Sequence, residues 1–442
     1  MKHILVPDSA RPFATLYVGF PAGSLQDPPG KAGLAHLTST LMMRGVGGDQ
    51  PLDRAALATA IEYLGSTLDV HVGRDSLTAW CDGLTRHRAA TSRLAARVLA
   101  EPTFPEAELD KLKRETVADI NALVDDDAAL GQRFFVRALF EGHPYGRPIK
   151  GTELSLAGIT RADCVAFHAA AVRREGVILG GAGDLDAAEL ARLEGELLGR
   201  LPSGRAPMGP IPIPRQRPGY HVVLVDKPER TQTQVFIGHL APDAQHPDFN
   251  ALMVAQTVFG GTFTARLSHE IREKRGWSYG AYSFLSGDQR LGTVSMRFYP
   301  SEKDTVAALR LTDEMYRAFR AEGPTAAELE AAQSYLQNSH VFSVDTAPRR
   351  LSELVSAALL GHPDDWVDTT VERLRAITPD AVHEAVRRHV TPDDVTVTVV
   401  CTAKNILPEL EAWGRASSIT VVDWKTAITD PTAPPPIGAA SP

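Results

Sequence analysis

Gly33-Leu-Ala-His36-Leu-Thr-Ser39-Thr40 sets a single imidazole near the start of a stretch with helical spacing. In an H-x-x-E-H zinc helix, a second His follows the first by four residues on the same face. A general-base Glu stands one residue before that second His. Here those two positions are Thr40 and Ser39. Threonine is at best a weak neutral oxygen ligand, and a serine hydroxyl of ordinary pKa cannot take a proton from metal-bound water. His36 alone does not make a zinc site; its plainest role is to fill a helix face against a sheet.

A second constellation lies at Phe259-Gly-Gly-Thr-Phe-Thr-Ala-Arg-Leu267 and Ser268-His-Glu-Ile-Arg272-Glu-Lys-Arg-Gly276-Trp-Ser-Tyr279. The pattern predicts a helix over 265–274, closed by Gly276 as its C-cap, and then a strand over 277–285. Arg272, late on the helix, and Tyr279, early on the strand, would project to one side of the corner. Fixed donors of that kind suit a peptide carbonyl or its developing oxyanion. On spacing alone the same pair is equally a surface charge and a half-buried strand aromatic. Glu270, Glu273 and Lys274 read as solvated helix charges. Gly260-Gly261 lacks the Lys and the spacing of a phosphate loop. Asp125-Asp-Asp127 lacks the spacing of a calcium loop and reads as a helix end.

The elements that must carry these groups occur twice, in order. Copy one runs Ile4–Asp8, Ala14–Phe20, then a helix over Ala32–Arg44; copy two runs Val222–Asp226, Gln234–His239, then a helix near Phe249–Phe259. In each copy the two apolar runs read as a hairpin that the helix then covers. Thr103 and Thr325 open long helices, Thr325 with Glu328 at capping-box spacing. Gly142-His143-Pro144 and Gly361-His362-Pro363 then recur at matching places, so a turn role fits both histidines better than catalysis. Ile159-Thr-Arg-Ala-Asp163 and Ile377-Thr-Pro-Asp380 each start a helix that leads to a late strand. The expected class is α+β: two homologous domains, 1–205 and 219–428, each an antiparallel sheet with helices packed on one face. A stiff Pro-rich linker over 206–218 joins them, and 429–442 reads as a disordered tail.

Composition sets the bounds. With 442 residues and 43% hydrophobic content the chain can bury large cores, and a net charge of −8 with pI near 6.0 gives nucleic acid no reason to bind. Cys81, Cys164 and Cys401 are scattered and odd in number, which fits reduced, buried thiols in the cytoplasm. The N-terminus has no signal-peptide core, and no apolar run is long enough to span a membrane.

With these residues on the page, the chain resembles the pitrilysin family of zinc peptidases, in the small two-domain form that includes mitochondrial processing peptidase subunits. The likeness runs from about Ile4 to Lys425. It rests on Gly33-Leu-Ala-His36, Gly142-His-Pro-Tyr145-Gly, Gly181-Ala-Gly-Asp184 and, most specifically, Leu267–Tyr279. The resemblance implies that Arg272 and Tyr279 are the family's substrate-binding pair, facing a zinc helix across a closed chamber, with peptide bound as an added strand.

It also marks departures. Aligning Arg114-Glu115 with the family's Arg-Glu puts Ala122 where the ligand Glu stands, and makes Glu115 a supporting acid. With Ser39, Thr40 and Ala122 the zinc site is lost at three positions, so no metal or cofactor is expected in this chain. The implied role is the non-catalytic, substrate-binding subunit of a heterodimer, active only with a homologous partner that carries zinc and the base. Short or unfolded peptides would be its substrate. The alternatives are a structural or assembly subunit, which needs no Arg/Tyr pair, and a repurposed zinc-independent enzyme, for which no nucleophile has a His base beside it.

Overall fold

The computed structural model describes residues 1–207 and 211–426. The expected tail, and Met208–Pro210 of the expected linker, lie outside the described residues. Thirteen strands are formed: β1 (Lys2–Pro7), β2 (Phe13–Phe20), β3 (Gly45–Val46), β4 (Leu52–Asp53), β5 (Thr67–Val72), β6 (Leu77–Leu84), β7 (Ile178–Gly183), β8 (Tyr220–Asp226), β9 (Gln234–Ala241), β10 (Ala281–Gly287), β11 (Gly292–Phe298), β12 (Val395–Cys401) and β13 (Ser418–Asp423). They make a five-stranded sheet, β1-β7-β2-β6-β5, a six-stranded sheet, β10-β11-β9-β12-β8-β13, and the small β3-β4 pair.

The α+β class holds, but the expected hairpins do not form. In both copies the late strand inserts between the first two. β7 pairs parallel with β1 and antiparallel with β2, and β12 pairs parallel with β8 and antiparallel with β9. β13 adds a second parallel neighbour to β8, and every other pairing is antiparallel. The inserted strands are buried, β12 at every residue and β7 at all but its last, and buried central strands read as continuous apolar runs that do not reveal their neighbours.

The chain folds as two compact units. One comprises Met1–Ile120, Arg147–Ile211 and Val341–Val367; the other comprises Asn121–Gly146, Pro212–His340 and Asp368–Pro442. Most helices of each unit lie on one sheet face, as the apolar faces require. A helix from the opposite sequence half then forms a further layer on each sheet. In the first unit this is Ala347–Leu359, whose Leu351 and Val355 join Ile4, Tyr17, Ile178 and Ala182 in one buried cluster. A Cβ on Gly180 would lie 2.8 Å from Leu351 Cδ1, so the glycine lets the Leu351 side chain pack closely on the strand.

In the second unit the added helix is Asp127–Leu139, whose Leu130 and Phe134 pack with Val223, Val225, Val400 and Val422. Here the helix supplies the glycine: a Cβ on Gly131 would come within 2.5 Å of Phe236 Cε2. Asp126 caps this helix through Ala128 N and Ala129 N, so the three-acid run starts a helix as well as following one. Asp127 carries Lys227 and Arg230 as ion-pair partners.

Candidate functional site

The two constellations sit in separate units and have opposite characters. In the first unit, His36 is carried on the helix Leu34–Met42, entered through Gly33 at φ +97°. Glycine is required there twice over, because a Cβ would also press on Lys150 O at 2.9 Å. The buried Asp27 carboxylate accepts from Gly33 N and Ala35 N, each at 2.8 Å, and so closes the helix N-terminus. Arg147 Nη1 donates to Asp27 O, and Ser155 Oγ donates to Ala32 O. The segment after Gly142-His-Pro-Tyr145-Gly146 thus braces the start of the His36 helix.

His36 itself is half-buried. Burial, joined by the Lys150 ammonium and opposed by the Asp119 carboxylate, pushes its imidazole down to about 4. Lys150 Nζ donates to Asp119 Oδ2 at 2.9 Å. Asp119 is the acid of the helix Glu106–Ala122 that reaches the field of His36, one turn before the exposed Ala122. Sequence comparison by type passed over both Asp119 and Lys150, since neither belongs to a zinc motif. Glu115 is committed elsewhere: it and Glu108 clasp the buried Arg44 at 2.5 and 3.0 Å. Ser39 is buried and donates its hydroxyl to His36 O, a local bond within its own helix.

These residues do not fit zinc. One imidazole, an uncharged Thr40 and a serine turned to its own backbone offer a single good ligand. The acid in the field of His36, Asp119, is paired with Lys150, and among the described residues no second His, Cys or acid gathers with His36 into a ligand cluster.

The second unit presents the other constellation. The expected continuous helix over 265–274 is instead a short α-turn, Arg266–Ser268, followed by a π-helical stretch, His269–Lys274. Another π-helical stretch, Thr257–Gly261, precedes it. Such wide turns change which side chains share a face, and they frequently mark functional sites. Arg266 ties the segment down: its Nε and Nη2 donate to both Glu328 oxygens at 2.6 Å, and Nη2 also reaches Gly323 O. Thr325 and Glu328 form the capping box read from their spacing. Gly276, at φ +63°, closes the corner as anticipated, with Gly276 N donating to Arg272 O and Trp277 N to Ile271 O.

Tyr279 falls in the loop before β10 rather than on the strand. Ser278 fixes that loop, donating to Gly280 O and accepting from Tyr299 N. Arg272 and Tyr279 do converge: the guanidinium carbon lies 5.5 Å from the Tyr279 ring centroid and 3.5 Å from that of Phe263. Tyr279 is 75% exposed and Phe263 49%, so two exposed rings lie against a half-buried cation. Arg272 Nη1 also donates to Glu273 Oε1 at 2.7 Å. Phe263 was not anticipated; its place just after Gly260-Gly261 was the only signal available.

Other candidates resolve as structural. His143 accepts from Tyr145 N, and its Nε2 lies 2.7 Å from Pro212 O; His362 stacks on Trp366 with ring centroids 3.7 Å apart. Burial pushes the Cys164 thiol up to about 11 and the Cys81 thiol up to about 12, and raises that of Cys401 as well. Those three are buried and inert as nucleophiles. Among the described residues no helix is long and apolar enough to cross a membrane.

Residues 3–153 match the profile of insulinase, peptidase family M16, and residues 158–336 match that of the peptidase M16 inactive domain. The chain belongs to peptidase family M16. Among its relatives is an uncharacterised zinc protease of Mycobacterium bovis, 27% identical over 379 residues, covering 85% of each chain. Another is a non-peptidase homologue from Helicobacter pylori, 21% identical over 398 residues, covering 89% of this chain and 90% of the other. The structure of a peptidase M16 inactive domain from Pseudomonas fluorescens superposes with a TM-score of 0.84 at 26% identity, over 90% of this chain and 94% of that one. The α+β architecture with two M16-type domains is therefore this M16 chain's own, and an inactive-type member is what it resembles in both sequence and fold.

Proposed function

We propose that this M16 chain is the non-catalytic, substrate-binding subunit of a heterodimeric zinc peptidase that acts on short or unfolded peptides in the cytoplasm. The observation that carries the reading is the Phe263–Arg272–Tyr279 cluster: a guanidinium and an exposed phenol brought together, in a chain whose own His36 helix lacks the ligands for a zinc ion. A homologous partner supplies the zinc and the general base. In this chain, Arg272 is paired with Glu273 and oriented by the Phe263 and Tyr279 rings. It donates in a fixed direction to a peptide carbonyl, and the Tyr279 hydroxyl adds a second donor. Donors that need no reorganisation stabilise an oxyanion most strongly. The rings favour an extended peptide, whose backbone stays free to pair as a strand.

Co-expression with a homologous subunit bearing an intact H-x-x-E-H tests this. The pair should hydrolyse unfolded peptides and lose that activity to a chelator, while neither chain works alone. Chelator-resistant hydrolysis by this chain alone would replace the reading with that of a zinc-independent enzyme. Stable pairing with full activity after Arg272→Ala would leave only an assembly role.

A further inference from the structure

The second unit also gathers His246, Asp248 and His389. One potential ligand atom from each lies within 4.8 Å of the others. His246 sits in a turn held by His246 N donating to Asp243 O and Phe249 N to His246 O. Asp248 is the N-cap residue of the helix Phe249–Gln256, and His389 is the last residue of the helix Pro379–His389. Those helices pack together through buried Leu252, Val382, Ala385 and Val386, so the three side chains hang on a rigid frame.

The rings meet edge to face with centroids 5.0 Å apart. His246 Nδ1 turns its lone pair toward Asp248, accepting from Asp248 N at 3.1 Å and lying 4.0 Å from Oδ2. His389 Nε2 donates to the same Oδ2 at 2.8 Å. Burial opposes charge on Asp248, yet the hydrogen bonds from His389 and Arg388 hold its carboxyl below the usual range.

We propose that His246, Asp248 and His389 form a binding site for a divalent transition metal of the zinc class, clipping the turn at 246 and the helix ending at 389 together. Two imidazoles and one carboxylate are a ligand set that zinc and cobalt favour, with further positions left to water. Ligand atoms about 2.0–2.1 Å from a tetrahedral ion are roughly 3.4 Å apart, so small side-chain rotations close the site. His246 gives up the hydrogen bond from Asp248 N to free its Nδ1 lone pair, His389 shifts its proton to Nδ1 to free Nε2, and the cation takes the place of the Arg388 guanidinium, now 2.5 Å from Asp248 Oδ2. Arg388 has a second partner within reach, Glu384 at 4.0 Å.

The site is independent of the peptidase reading, and it changes how metal analysis of this protein is to be interpreted: bound metal would report this cluster and not the His36 helix. Titration of the full-length chain with Co²⁺, followed by its visible absorption, tests it. One equivalent should bind with bands of a four- or five-coordinate ion. His246→Ala and His389→Gln should each weaken binding about tenfold or more, and His36→Ala should change nothing. Asp248→Asn, which keeps the size and the hydrogen-bond acceptor, should also weaken binding in a protein of unchanged thermal stability. Wild-type binding no tighter than that of the His246→Ala/His389→Gln double variant would overturn the proposal. So would loss of binding on His36→Ala.

Discussion

The helix around His36 and the corner around Arg272 handle polar groups in opposite ways. In the first, every strong group is turned inward or paired: Asp27 to backbone amides, Ser39 to its own helix, Asp119 to Lys150. The imidazole stays neutral. In the second, Arg266 and Glu328 form an anchoring ion pair, Phe263 and Tyr279 are exposed, and the half-buried Arg272, paired with Glu273, sits against both rings. An arrangement that spends its charges internally has none left to act on a ligand. One that anchors one arginine and sets another against two exposed rings keeps groups within a ligand's reach, which is why the proposed binding surface lies in the second unit.

The sharpest way to break that contrast is kinetic. In an assembled, active complex, Tyr279→Phe should lower turnover by roughly a hundredfold or more, the usual consequence of removing one oxyanion donor. His36→Ala in the same complex should leave turnover within about twofold. Equal losses from the two variants, measured as kcat on one peptide, would erase the distinction.

Next in size are effects on stability. Leu351→Ala opens a hole over Gly180 in the first unit and should cost about 2–5 kcal/mol; Phe134→Ala does the same in the second and should cost about 3–5 kcal/mol. Denaturant unfolding followed separately in each unit would show whether the two added helices matter equally.

The pH dependence of His36 comes third. Its folded pKa near 4 lies below the ordinary value of 6.5, so its neutral form is what the fold favours. The stability this contributes is fully present above pH 6.5 and is lost as pH falls through 4, at most about 3 kcal/mol. An imidazole NMR titration should place the midpoint near 4, and His36→Gln should flatten that part of the stability profile. A midpoint near 6.5 would mean the site is open, as the Arg272 corner is.

The smallest effect concerns Glu328, whose carboxyl the Arg266 hydrogen bonds hold down to about 2 from an ordinary 4.5. Its contribution is present above pH 4.5 and lost as pH falls toward 2. Glu328→Gln should cost about 1 kcal/mol by thermal unfolding and, by loosening Arg266, lower peptide affinity slightly.

Local signals were legible to the extent that they were self-contained. The helix start at Thr160, the capping box at Thr325–Glu328 and the left-handed glycine at 276 need only residues a few positions apart, and each forms as its spacing indicates. The strand order was not legible, because β7 and β12 arrive long after the strands they separate and carry no mark of their neighbours. The exchanged helices were hidden for the same reason: Leu351 and Gly131 match partners in distant sequence. Tyr279 was recognisable by type and spacing, but the two π-helical stretches that bring Phe263 beneath Arg272 depend on how Gly260 meets β10, where a Cβ would lie 2.6 Å from Ser283 N.

From sequence alone came the duplicated α+β plan, the missing base and second ligand after His36, and the Arg272–Tyr279 pair, all properties of residue type at short range. Tertiary structure alone decided that Lys150 pairs with the carboxylate in the field of His36, that a second aromatic, Phe263, joins Tyr279 beside the arginine, and that two histidines separated by most of the second half meet at Asp248. Those outcomes depend on long-range packing, where a few ångströms of helix placement determine which charges find partners and which remain free to bind.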